Sequence, residues 1–179
     1  LGFVVMKAAE AAREGATLEQ AMEVARREIP RADMLCCFES LEYLRRGGRI
    51  GAAQAFLGSV LRIHPMIALR DGVVMPAGRT RSRARAVDRL VEYVAGYERI
   101  DELGVEHAAC PEEAEALADR LGALYPRERI HMSKMTPVMG AHTGPGLLLV
   151  AALGDKRAGG SGSSGRPGAG REQREISGA

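Results

Sequence analysis

Apolar residues return along this chain in two alternating rhythms. Over residues 3–13, and again from Leu18 through Ala21, Met22 and Ala25, they recur every three or four positions, as on one face of a helix. Thr17 and Gln20 have the spacing of a reciprocal cap at the start of the second helix. Gly15 is expected to end the first helix and Pro30 the second. Residues 34–38 form a short apolar run, expected as a buried strand. Ser40 is expected to cap a short helix through Leu41 and Leu44, terminated by Gly47 and Gly48. A further helix is expected over 52–61. Residues 63–69 and 73–75, around Arg70-Asp71-Gly72, predict a β-hairpin. Val87, Leu90, Val91, Val94 and Tyr97 predict a helix over 83–98, and residues 105–110 a strand. Pro111 opens another helix, burying Ala114, Leu117, Ala118 and Leu121. Strands over 130–135 and 147–153 complete the order. The pattern predicts an α/β or α+β fold, helices packed on a mixed sheet, without internal repeats.

Composition narrows the function classes. The 179 residues are 46% apolar and 27% charged, ordinary for a globular protein. No apolar run approaches the roughly 18 residues that span a bilayer. A net charge of +2 gives no electrostatic argument for nucleic acid or membrane. Aromatics are 4%, without Trp, which counts against a base-stacking platform. Cys36, Cys37 and Cys110 lack zinc spacing, so no metal is expected; reduced thiols and a cytoplasmic setting fit them best. The chain opens at Leu1 inside a helical pattern, which is expected to continue upstream. Residues 158–179 hold seven Gly and four Ser and are expected to be a disordered tail.

Three polar motifs stand out. In Arg45-Arg46-Gly47-Gly48-Arg49, two glycines turn the chain sharply and present Arg49, whose forked donors suit a carboxylate or phosphate. On pattern alone, a helix C-cap followed by a surface arginine is the simpler reading. Arg79-Thr80-Arg81-Ser82-Arg83-Ala84-Arg85 runs into a helix N-terminus, where positive charge opposes the helix dipole. An acidic partner would offset that cost, and so would neighbours such as Asp88. Gly140-Ala141-His142-Thr143-Gly144-Pro145-Gly146 predicts a constrained loop with His142 and Thr143 at its tip, able to donate to an anion. His64, His107 and His131 lie in extended apolar segments and read as structural. No nucleophile motif, Walker loop or catalytic acid/base pair is present, which favours a binder over a catalyst.

The run from Leu41 to Gly72, the Arg-Thr-Arg-Ser-Arg-Ala segment and Gly-Ala-His-Thr-Gly-Pro-Gly occur in an order that resembles the DegV family of bacterial fatty-acid-binding proteins. The resemblance covers roughly residues 1–157. It implies that residues 1–31 are the last helices of a mostly missing α/β first domain. Residues 32–157 would be the DegV-like second, lipid-binding domain. It also implies a long-chain fatty acid in an apolar tunnel, without a cofactor, its carboxylate held by His142, Arg49 and Thr143. Arg81 and Arg79 would serve the head-group side or dock an ATP-binding fatty acid kinase subunit. That partner phosphorylates the carboxylate, giving acyl phosphate for phospholipid synthesis. The chain itself would be non-catalytic, bind no nucleic acid and make at most transient membrane contact. The alternative is a small-substrate phosphotransferase using His142 as covalent acceptor, against which stands the lack of a second acid/base nearby.

Overall fold

A computed structural model describes residues 1–56, 63–70 and 72–157, with the side chain of Arg70 left aside. The tail at 158–179, positions 57–62 of the helix expected over 52–61, and Asp71 of the hairpin turn lie outside the described residues.

Two helices come first, α1 (Gly2–Arg13) and α2 (Leu18–Glu28). The Thr17–Gln20 box forms as expected, with Thr17 Oγ1 accepting from Gln20 N and Gln20 Oε1 from Thr17 N. Strand β1 (Ala32–Cys37), helix α3 (Glu42–Arg46), strands β2 (His64–Arg70) and β3 (Val73–Thr80), and helix α4 (Arg83–Ala95) follow. The chain continues through β4 (Tyr97–His107), α5 (Pro111–Leu121), β5 (His131–Lys134), α6 (Pro137–Thr143) and β6 (Leu148–Lys156). The six strands form one mixed sheet in the order β3-β2-β1-β6-β4-β5, with β4 and β5 parallel and the other pairs antiparallel. The expectation of a mixed sheet covered by helices holds.

Five elements differ from the periodicity reading. Residues 140–143, expected in the constrained loop over 140–146 with His142 and Thr143 at its tip, are instead the last turn of helix α6. Thr136 Oγ1 accepts from Met139 N, and Pro137 supplies a pre-set φ at the first position. Strand β4 begins at Tyr97 rather than 105. Its first half is polar because it pairs with the polar end of β6 through two register shifts, at the rim of the sheet. Helix α4 therefore stops at Ala95, capped by Gly96. Strand β3 extends to Thr80 despite Pro76, because β3 is an edge strand and β2–β3 carries an irregularity at Met66/Ile67. The start of the helix expected over 52–61 is a 3-10 segment, Gly51–Phe56.

Strand alternation gives the sheet two faces. On one, Cys37, Met66, Leu103, Val105, Leu148 and Val150 pack with α4 and α5 into the larger core. On the other, Cys36, Ile67, Leu147 and Leu149 pack at one end with Phe38, Leu41 and Leu44 around α3. At the opposite end of that face, Phe3 of α1 lies against the backbone of Gly104 and stacks on His131, with ring centroids 5.4 Å apart. Lys7 Nζ donates to Glu102 Oε1 at 2.7 Å, and Arg31 bonds Glu28, Asp101 and Asp155, tying this end together.

Candidate functional site

The GGR corner and the Gly-Ala-His-Thr-Gly segment, nearly 100 residues apart in sequence, meet in space. Helix α3 leaves the end of β1, and α6 bridges β5 and β6, so the two short helices pack side by side at one end of the sheet. A Cβ added to Gly47 would stand 2.1 Å from His142 Nδ1, and one added to Gly144 would stand 2.2 Å from the ring of Tyr43. Glycine is required at both positions because a ring occupies the space. Gly144 also has φ +71, which disfavours any side chain.

His142 Nδ1 is buried against this corner with no hydrogen-bond partner among the described residues. Buried polar atoms are seldom left so. Gly47 lies against the Nδ1–Cε1 side of the ring, so Nε2 is the nitrogen left for a ligand. Arg49 is exposed and folds back on the same corner, its Nη1 donating to Gly47 O at 2.8 Å. Thr143 is buried, its Oγ1 donating to Gly144 O at 3.4 Å. Arg49, His142 and Thr143 therefore cluster through Gly47 and Gly144.

The basic segment divides. Arg83 turns inward, donating to Glu113 Oε2 at 2.7 Å and to Cys37 Sγ at 3.2 Å. Arg79 and Arg81 are exposed and make no ion pair among the described residues. Asp88, one neighbour that could have offset the charge of this cluster, pairs with Arg120. Arg79 lies opposite Pro65 near the end of β3, and Thr80 opposite His64. That is the sheet end that carries α3 and α6, since Cys37, His107 and Lys134 finish their strands there. Arg79 and Arg81 share this end with His142 without contacting it.

Of the three histidines read as structural, His131 accepts or donates a 3.0 Å bond with Glu102 Oε2, and His107 Nδ1 accepts from Cys110 N. His64 Nδ1 is buried and lies 3.4 Å from Glu39 Oε2 without hydrogen-bond geometry.

Beside α1, the second sheet face opens into a cleft of about 450 Å³, within the usual range for small-molecule sites. Met34, Leu69, Gly104, Leu149 and Ala151 line it, with Phe3 and Met6 at the α1 side. Glu106 and Ser133 also line it. The sequence reading missed Glu106, although alternation with the buried Val105 places it on the opposite face. Burial pushes the Glu106 carboxyl above the usual range, outweighing the nearby His107. Among the described residues no group of three or more His, Cys, Asp or Glu could hold a metal, and no helix is long and apolar enough to cross a membrane.

Comparison with known proteins settles the lineage. The model of the family described as "Uncharacterised protein, DegV family" matches residues 1–155. The chain belongs to the DegV family. A DegV domain-containing protein of Streptomyces coelicolor is 42% identical over 152 residues, covering 83% of this chain and 54% of that protein. The structure of a DegV family protein from Thermus thermophilus, described as fatty-acid binding, superimposes with a TM-score of 0.75 at 32% identity, covering 86% of this chain and 56% of that one. DegV of Bacillus subtilis, described as a fatty acid binding protein, gives a TM-score of 0.71 at 30% identity, covering 85% and 56%. The chain thus spans about half the length of the DegV relatives it matches.

Proposed function

We propose that this chain forms the part of a fatty-acid carrier that holds the carboxylate at His142 and the acyl chain in the cleft. The half-buried imidazole of His142, whose Nδ1 is buried without a partner among the described residues, carries this reading, at the end of an apolar sheet face. A carboxylate shielded from water needs hydrogen bonds, or it takes up a proton. His142 Nε2 would donate, with Arg49 and the Thr143 hydroxyl as the nearest further donors. Fatty-acid binding by the Thermus and Bacillus DegV proteins supports the ligand class. Residues 1–31 are read as the last helices of a first α/β domain, and the remainder of the described chain as the lipid-binding second domain.

The finer reading is that the bound carboxylate is presented to a separate ATP-binding kinase. The carboxylate oxygen would attack the γ-phosphorus of ATP, ADP would leave, and the acyl phosphate would serve phospholipid synthesis. The unpaired, exposed Arg79 and Arg81 support a docking surface for that partner.

The test is titration calorimetry with oleate on the protein expressed from its native reading frame. His142→Ala should weaken binding by about 1–3 kcal/mol, the penalty for a buried polar group left unpaired. Unchanged affinity, or no binding of oleate by the parent protein, would overturn the assignment.

A further inference from the structure

We propose that Glu106 and Ser133 form a polar subsite on the floor of the cleft that favours acyl chains bearing a mid-chain hydroxyl. The inference rests on the fatty-acid reading and concerns the same cleft.

Glu106 and Ser133 are direct partners in the parallel β4–β5 pairing, and Glu106 faces Leu149 across β4–β6. Both line the cleft, among Met34, Leu149 and Ala151. Two other polar side chains reach it, and both are engaged: Asp33 by Lys156, His131 by Glu102. Neither the Glu106 carboxyl nor the Ser133 hydroxyl has a hydrogen-bond partner among the described residues. Ala108, whose carbonyl accepts from Gly146 N at 2.7 Å beside α6, lies two residues beyond Glu106 on the same face. Two strand residues span about 7 Å. A chain anchored at His142 would therefore pass Glu106 beyond its carboxylate, along its alkyl body.

An alkyl chain laid over an unpaired carboxyl strips its water and returns nothing. A hydroxyl at that point restores the lost bond. The Glu106 carboxylate can accept from a ligand hydroxyl, and the Ser133 hydroxyl can donate or accept.

Ricinoleate and oleate share a chain and differ by one mid-chain hydroxyl. Titration calorimetry of both, on the protein from its native reading frame, should show about a fivefold to tenfold preference for ricinoleate, the worth of one net hydrogen bond. Glu106→Met keeps the volume and should abolish the preference mainly by tightening oleate. Glu106→Gln should keep most of it. Ser133→Ala, at an exposed position that does not threaten the fold, should reduce it. Equal affinities for the two ligands in the parent protein would overturn the subsite and leave the carrier reading standing. A preference that survives Glu106→Met, with the variant's melt intact, would overturn it as well. Failure of both ligands to bind would overturn the carrier reading and the subsite together.

Discussion

Gly47 offers a way to move His142 without touching it. The residue has φ −78, so alanine meets no backbone strain there. Its new Cβ, however, would lie 2.1 Å from His142 Nδ1 and 2.9 Å from Cε1. Ordinary contact needs about 3.4 Å or more, so the imidazole must retreat by more than about 1 Å. A displacement of that size costs on the order of a hundredfold where alignment matters for a reaction, and about tenfold is a conservative expectation for a hydrogen bond in binding. Gly48 is the control. It has φ +67, but a Cβ there meets nothing within 4 Å. Gly48→Ala should cost about 1–2 kcal/mol of stability through backbone strain, or about 2–8 °C in melting temperature, and leave oleate affinity nearly intact. Gly47→Ala should do the reverse, with a small change in melting temperature and a loss of affinity of about tenfold. The assays are thermal melting by circular dichroism and oleate titration, run on both variants. Equal oleate affinity for Gly47→Ala and the parent protein would refute the claim that the Gly47 wall positions the ring.

Two other outcomes follow from the electrostatics. Burial pushes the Glu102 carboxyl up, but hydrogen bonds from Lys7 and His131 outweigh it and hold the group below the usual range. Its contribution is therefore present above the unfolded value of about 4.3 and lost as pH falls through the folded one. Lys7→Met should lower the melting temperature by about 3–6 °C near pH 7, a gap that closes below about pH 4; a gap independent of pH would refute this. Burial also pushes the thiols of Cys36, Cys37 and Cys110 up, and the Arg83 charge only partly opposes this at Cys37 and Cys110. All three should resist a thiol reagent in the native protein near pH 8 and react on denaturation; rapid native labelling of any one would contradict the burial.

The helices α2, α4 and α5 were legible because each carries a local signal: a capping box, a periodic apolar stripe, a proline at the first position. Strand β4 was half legible. Val105 and its neighbours announce a strand, but Tyr97-Glu98-Arg99-Ile100-Asp101 has no alternation, and only its pairing with β6 makes it extended. The site motifs were visible as unusual strings, and their convergence was not. Nothing local in Arg46-Gly47-Gly48 says that the imidazole of His142 fills the space beside Gly47. That contact depends on α3 and α6 leaving neighbouring strand ends, which is a property of strand order. The same holds for the basic segment, where Arg83 and Arg81 look alike in sequence. Only the position of α5 turns Arg83 toward Glu113 and Cys37.

The cleft has a simple physical origin. A sheet face must be covered, and here the covering is supplied from its two ends rather than by one helix laid across it. At one end α3 and α6 bury Cys36, Leu147 and Leu149; at the other, α1 brings Phe3 over Gly104. Among the residues of the floor, Ala32, Gly104 and Ala151 are small and keep the surface low where they stand. A Cβ at Gly104 would already crowd Phe3 at 3.1 Å, so the floor cannot rise there without pushing α1 away. An apolar groove of this kind, on the sheet face whose far end carries α3 and α6, suits a ligand with a long apolar body. Burial of that body contributes about 0.8 kcal/mol per methylene, so affinity is set mainly by the groove. On the proposed reading, His142 would contribute far less and would set which end of the ligand faces α3 and α6. That division is why substitutions at His142 should weaken binding without abolishing it, whereas filling the floor at Gly104 or Ala151 should abolish it with the His142 corner intact.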